Sequence, residues 1–143
     1  MIDNRREFLT AAMTAMATTF ISAREQAPAG AAAQRAVATK DAPKVNLDGW
    51  QMTATEITLP AGAPPGRKHR HPGFVIGYVL EGQYSFAVND QPATVVKAGE
   101  MFFESFDAPG QVHSTSGNPS STQAAKFLAI VFTKKGDPVT IPG

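Results

Sequence analysis

The sequence predicts an all-β fold, an antiparallel sandwich or barrel, for the part of the chain from residue 49 to residue 143. Short apolar or alternating runs are separated by glycine- or proline-containing turns roughly every eight to twelve residues. No stretch of this region places apolar side chains at helical spacing. The whole chain has 143 residues, which suits one domain large enough to bury a core.

The predicted strands follow one another closely. They occupy residues 50–59, 74–80, 84–88, 94–96, 101–106, 127–133 and 138–142, with a further strand beginning at His113. Apolar positions change parity between Met52 and Ile57, which predicts a β-bulge near Glu56. The Ser- and Thr-rich stretch 114–121 predicts a loop, and residues 107–110 predict a turn.

Composition excludes several classes of function. The chain has no Cys, so disulfide frameworks, thiolate metal sites and Cys nucleophiles are ruled out. Its 13 Lys and Arg against 12 Asp and Glu give a formal charge of +1. Because a protein that follows a phosphate backbone carries a basic excess, we expect no nucleic-acid partner.

The N-terminus has the order of regions found in export signals. Arg5 and Arg6 precede an uncharged run over residues 8–23, and small residues follow. This resembles a twin-arginine signal, so residues 1–29 are predicted to be an export signal peptide and the protein periplasmic or secreted. The run is too short and too polar for a stable membrane span. An amphipathic helix on the domain is the alternative.

The stretch behind the signal lacks large side chains. Residues 30–48 are dominated by Ala, Pro, Gly, Gln and Lys, a composition that buries too little apolar area to offset the entropy of ordering. We predict a flexible linker here and a small folded domain over residues 49–143. Such a small domain would bury more surface as a homodimer.

The chain contains three His, and their placement carries the functional prediction. His69 and His71 are two residues apart, so on a strand both imidazoles project from one face. His113 follows a Pro-Gly turn and opens another strand. Neutral imidazoles suit divalent Fe, Mn, Ni, Zn or Cu without distinguishing among them. The alternative for His69 and His71 is a pair of surface histidines flanked by basic residues, and the alternative for His113 is a capping or core histidine.

These residues resemble the motifs of the cupin superfamily, specifically of the small single-domain cupins. His69-Arg70-His71 and Gly82 occupy places of the first cupin motif, and Gly99, Gly110, His113 and Asn118 occupy places of the second. The resemblance covers about residues 50–142 and implies a cupin jelly-roll barrel with a metal ion inside.

The motifs also depart from the family pattern. Val75 stands where the usual carboxylate ligand belongs, Ala63 stands where the leading Gly belongs, and the second motif is longer than usual. Glu104 offers a replacement ligand, because alternation puts it with Phe102 on one face of its strand. A solvated strand-edge carboxylate is the other interpretation of Glu104. Arg70 alternates away from the two His and is expected at the surface or in a dimer contact.

The predicted metal site is therefore His69, His71, His113 and Glu104, and no catalytic residue is assigned. Three facial His would leave positions open for a small-molecule substrate and dioxygen, which favours a metal-dependent oxygenase. The alternative is a non-catalytic periplasmic module that binds or senses a small ligand, because the sequence shows no separate acid–base pair or nucleophile.

Overall fold

The computed structural model describes residues 34–104 and 111–143, and in these ranges it is an all-β structure without helices. The described strands are β1 (Trp50–Leu59), β2 (His69–Arg70), β3 (Phe74–Glu81), β4 (Gln83–Val88), β5 (Thr94–Lys97), β6 (Met101–Glu104), β7 (Val112–Gly117), β8 (Ala125–Lys134) and β9 (Ile141–Pro142). The all-β prediction is confirmed. The predicted signal peptide lies outside the described residues, as does the predicted turn at 107–110.

The strands form two antiparallel sheets. A four-stranded sheet has the order β1-β8-β3-β6, and a five-stranded sheet has the order β5-β4-β7-β2-β9. The chain crosses repeatedly from one sheet to the other, since β1, β3, β6 and β8 belong to the first and the remaining strands to the second. This is the jelly-roll arrangement that the cupin motifs imply.

The core lies between the two sheets. Along β8, buried and partly buried residues alternate, so that Phe127, Ala129 and Val131 point inwards. The buried core cluster consists of Val75, Val79, Tyr84, Val96, Phe102, Phe127, Ala129 and Val131. The Tyr84 ring packs against the Phe127 ring in a tilted arrangement, with ring centroids 4.3 Å apart. Aromatic packing therefore fills the interior beside the candidate site.

The predicted bulge near Glu56 is wrong. All ten residues of β1 pair with β8 in one unbroken register, from Trp50 opposite Lys134 to Leu59 opposite Ala125. The change of apolar parity has another cause, because Met52 is 60% exposed on the outer face while Ile57 is partly buried on the inner face. The described bulges lie in β3, between Val79 and Glu81, and in β4, at Ala87 and Val88.

The prediction of a loop from residue 114 onwards is also wrong in part. β7 continues to Gly117 because its polar residues pair with β4, for example Ser116 with Phe86. Beyond it, the Asn118 amide donates to the carbonyls of Leu59, Pro60 and Gln123. Asn118 therefore ties the turn after β7 to the end of β1.

The segment before β1 has no regular secondary structure over residues 34–48. It lies against the outer face of the four-stranded sheet, where the Lys40 ammonium is 5.9 Å from the centre of the Phe103 ring. In the described ranges, no helix has the length and apolarity needed to cross a membrane.

Gly73, immediately before β3, provides a test of the close packing between strands. A Cβ at this position would overlap the carbonyl oxygen of Phe132 and approach the Trp50 ring. Since backbone atoms can move little, Gly73→Ala should lower the free energy of unfolding by about 3 kcal/mol, measured by urea denaturation. Gly117→Ala is the control, because its Cβ would find its nearest neighbour, Pro65 Cα, at 3.6 Å. Equal stability of both variants would refute this packing.

Candidate metal centre

Strand pairing brings the three histidines together. β2 lies beside β7, and His69 is the register partner of His113. Residues directly opposite in an antiparallel pair have neighbouring side chains on the same face. His71 follows β2 immediately and is two residues from His69, so its ring joins them from the same face. One ring atom from each of the three histidines lies within 4.8 Å of the others.

Backbone carbonyls fix the orientation of two rings. His69 donates from Nδ1 to the carbonyl oxygen of Arg67 at 2.8 Å, and His71 donates from Nδ1 to that of Val139 at 2.6 Å. Because a carbonyl can only accept, both rings carry their proton on Nδ1. Each Nε2 therefore keeps a free lone pair, which is how outer partners prepare imidazoles for metal binding.

His113 presents the opposite nitrogen. Its Nδ1 lies 3.2 Å from His69 Nε2 and 3.2 Å from Glu104 Oε1. Its Nε2 points away from this cluster and lies 3.2 Å from the Tyr84 hydroxyl. The centre thus gathers Nε2 of His69, Nε2 of His71 and Nδ1 of His113.

Glu104 approaches the three histidines from the other sheet. Its register partner on β3 is Val75, the position where the cupin motif usually carries a carboxylate. The carboxyl group therefore reaches the centre from the strand next to the expected one. Its Oε2 is 3.9 Å from His71 Nε2, and the residue is 2% exposed.

The expected surface position of Arg70 agrees with its exposure.

Burial favours the neutral forms of Glu104, His71 and His113. It raises the pKa of Glu104 to about 8. It also lowers the pKa of His113 to about 3, with a further contribution from nearby His69, and lowers the pKa of His71. The close approach of Glu104 to His113 is therefore a contact between neutral groups rather than an ion pair.

The donor set fits a divalent transition metal ion. Glu104 Oε2 is buried without a hydrogen-bond partner, and an unpaired buried polar atom is costly. A cation at the centre would give this oxygen a partner and reverse the electrostatic preference for the protonated carboxyl. Two bonds of about 2.1 Å span at most about 4.2 Å, so a small inward rotation of the rings would bring all three nitrogens into one coordination shell.

A cavity of about 220 Å³ opens beside the four residues. Apolar side chains of β1, β3, β6 and β8 form most of its walls, and several side-chain hydroxyl groups lie among them. Besides the four candidate ligands, the lining consists of Thr55, Ile57, Val75, Tyr84, Phe102, Ser116, Phe127, Ala129, Val131, Val139 and Thr140. The cavity can therefore hold a small molecule against the centre.

Sequence reasoning missed part of this environment. Tyr84 belongs both to the buried core cluster and to the cavity lining, and its inward parity on β4 was the available signal. The contribution of Val139 is a backbone carbonyl that contacts His71 across 68 residues of sequence. No side-chain pattern announces such a contact.

The sequence of this chain matches a known protein family. The cupin domain family matches residues 55–131. The protein belongs to the cupin family. No curated protein matches its sequence.

Solved structures of other proteins superpose on this chain at low sequence identity. The DMSP lyase DddQ from Ruegeria pomeroyi DSS-3 superposes with a TM-score of 0.51 at 20% identity, over 64% of this chain and 42% of the lyase. An oxalate decarboxylase from B. subtilis superposes with a TM-score of 0.50 at 17% identity, over 64% of this chain and 24% of the decarboxylase. A predicted oxalate decarboxylase from Thermotoga maritima superposes with a TM-score of 0.48 at 27% identity, over 61% of this chain and 69% of the other protein. This cupin therefore spans less than half the length of the lyase and of the B. subtilis decarboxylase.

Glu104→Gln tests the fourth ligand. The amide keeps the size of the side chain but removes the charge that a cation would neutralise, so we expect zinc affinity to fall at least about tenfold. Competition with a chromophoric chelator measures it. The matched control is Glu56→Gln, at a side chain that is 59% exposed. If the two variants bind zinc equally well, Glu104 is not a ligand.

Proposed function

We propose that this cupin is an exported, metal-dependent enzyme that oxidises a small molecule with dioxygen. The observation that carries the proposal is the convergence of three imidazole nitrogens, within 4.8 Å of one another, beside a cavity. The buried carboxyl group of Glu104 lies next to them, 3.2 Å from His113 Nδ1 and 3.9 Å from His71 Nε2. His69, His71, His113 and Glu104 would hold the ion. Once bound, a divalent Fe, Mn, Ni, Zn or Cu ion supplies Lewis acidity and, if redox-active, a site for dioxygen.

The protein residues have distinct tasks in this proposal. The carbonyls of Arg67 and Val139 hold two imidazoles with their free lone pairs towards the centre. Apolar walls such as Val131 and Phe127 exclude water from the reacting end of the substrate. The hydroxyls of Thr55 and Thr140 line the same cavity and can orient polar atoms of the substrate.

The walls also favour a substrate of a certain kind. The described lining residues include no Lys or Arg, and the sequence of residues 105–110 contains neither. A second anionic group on a substrate would therefore find no partner beyond the metal centre. The volume exceeds the roughly 150 Å³ that accommodates benzene. We infer a substrate with one polar end for the centre and an uncharged, largely apolar remainder.

A non-catalytic binding module is the second candidate, and one observation favours it. All titratable side chains among the described lining residues are either candidate ligands or, like Tyr84, in contact with one. No independent acid–base pair is left over in that lining for catalysis without the metal. A module of this kind would gain thermal stability from its ligand without converting it.

Export and self-association complete the proposal. The twin-arginine-like segment at Arg5 and Arg6 supports delivery to the periplasm or beyond. Several large apolar residues are well exposed, among them Leu47, Met52 and Val95. Such side chains support pairing of two copies as a homodimer, which would cover them.

The central test asks whether the protein binds a metal ion and leaves a coordination position open. Protein purified without chelators should contain about one transition metal ion per chain by elemental analysis, whereas His113→Ala should lose most of it and stay folded. After loading with Fe(II) under argon, nitric oxide, an analogue of dioxygen, should produce an adduct visible by electron paramagnetic resonance. Retention of the metal by His113→Ala, or no metal in either protein, would contradict the proposal. Metal without an adduct would favour the binding module.

A further inference from the structure

The cavity beside the metal centre has a buried end and an open end. Most of its lining side chains are buried or partly buried, and Val75, Tyr84 and Phe127 lie deep in the core. Two of the described lining residues, Thr55 and Thr140, are exposed to solvent. A side chain that lines a cavity and is also exposed lies where the cavity meets solvent. We call the opening between these two threonines the mouth of the cavity.

The sheet topology explains why the mouth lies at this place. Thr55 is on β1, with the inward parity of Ile57, and Thr140 directly precedes β9. β1 is the last strand of the four-stranded sheet, and β9 is the last strand of the five-stranded sheet. Within the described ranges, β1 pairs only with β8 and β9 only with β2. The mouth is therefore a seam between the unpaired edges of two sheets.

The opposite side of the barrel is closed by backbone hydrogen bonds. There the turn between β5 and β6 lies against β3. The Gly99 amide donates to the Val79 carbonyl at 2.8 Å, and the Val79 amide donates to the Glu100 carbonyl at 3.0 Å. A small molecule cannot pass between backbone segments that are joined in this way. Of these two sides of the described barrel, the β1–β9 side is thus the one that admits a molecule.

The backbone on both sides of the mouth is held in place. On one side, all ten residues of β1 keep a single register with β8. On the other side, the Val139 carbonyl oxygen lies 2.6 Å from His71 Nδ1, and the Gly143 amide donates to the Lys68 carbonyl at 3.2 Å. Because the backbone is fixed on each side, the side chains at positions 55 and 140 set the width of the mouth.

We propose, on the basis of the metal-dependent function above, that the substrate enters between Thr55 and Thr140 and that these two residues determine how bulky a substrate reaches the metal centre. The polar end of the substrate passes first and arrives at the ion, and the uncharged remainder follows into the apolar part of the cavity. Thr55 and Thr140 are specificity-determining residues in this proposal, and neither is a metal ligand.

The test compares the entry of two probes that share one metal-binding group. Imidazole and 4-phenylimidazole both bind a metal ion through a ring nitrogen, and the second carries an additional benzene ring. Their association and dissociation rates with the cobalt(II)-loaded protein are followed by stopped-flow through the visible absorption of the ion. The variants are Thr55→Trp and Thr140→Trp. Thr58→Trp is the control, because Thr58 is exposed on the outward parity of the same strand as Thr55.

A tryptophan at the mouth should slow the bulky probe in both directions. In Thr55→Trp and Thr140→Trp the passage of 4-phenylimidazole waits for the indole to move aside, so its association and dissociation rates should both fall at least about tenfold. Imidazole should be slowed less, and Thr58→Trp should match the wild type with both probes. A narrowed passage leaves the dissociation constant unchanged, whereas damage to the metal centre would alter it.

Other outcomes separate this inference from the proposed function. Rates like those of Thr58→Trp in either mouth variant would overturn the entry route and leave the metal centre standing. Weaker binding of 4-phenylimidazole at an unchanged association rate would do the same, as would failure of the cobalt-loaded wild type to bind this probe. No cobalt binding by the wild type would overturn both proposals.

A second set of variants serves if a Trp variant fails to fold. Because the chain has no Cys, Thr55→Cys, Thr140→Cys and Thr58→Cys each provide a single thiol. A benzyl group is attached to it through a disulfide in the folded, metal-free protein, and cobalt is loaded afterwards. We expect slower entry and exit of 4-phenylimidazole for the groups at positions 55 and 140 and wild-type rates for the group at position 58. Equal rates at all three positions would overturn the entry route.

Discussion

The candidate site depends on strand register more than on any single bond. Two pairings, β2 with β7 and β3 with β6, bring His69 opposite His113 and Glu104 opposite Val75. Because neighbouring strands are held at a fixed spacing and side chains alternate between faces, a shift of either pairing by one residue would turn a candidate ligand away from the cavity. The close packing of Gly73 against the Phe132 carbonyl fixes the start of β3 in the same way.

The site is also where this small domain gives up stability. A carboxyl group and two imidazoles are buried among apolar side chains, and burial shifts the pKa of Glu104, His71 and His113 towards their neutral forms. One Glu104 oxygen has no partner within the described part of the chain. An apolar core would avoid these costs, so their presence supports the proposal that this group binds a cation.

Much of the fold could be predicted from the sequence, because alternation and turn residues report directly on strands and their inward faces. The same alternation of side chains between the faces of a strand predicted that His69 and His71 share a face and that Glu104 points inwards. The error at Glu56 arose because Trp50 and Met52 lie on an outer apolar face, which a pattern of one buried face does not anticipate. The Nδ1 presentation of His113 and the support from Val139 depend on side-chain rotation and on backbone contacts between distant segments, which sequence spacing does not encode.

Membership of the cupin family gives the barrel, whereas the chemistry depends on what the barrel holds. X-ray absorption spectroscopy of the zinc-loaded protein tests this most directly, since it reports the atoms around the ion. The account predicts a shell of three imidazole nitrogens and one carboxylate oxygen, with bonds of about 2.0–2.2 Å. A shell of water oxygens without the scattering pattern of imidazole rings would contradict it.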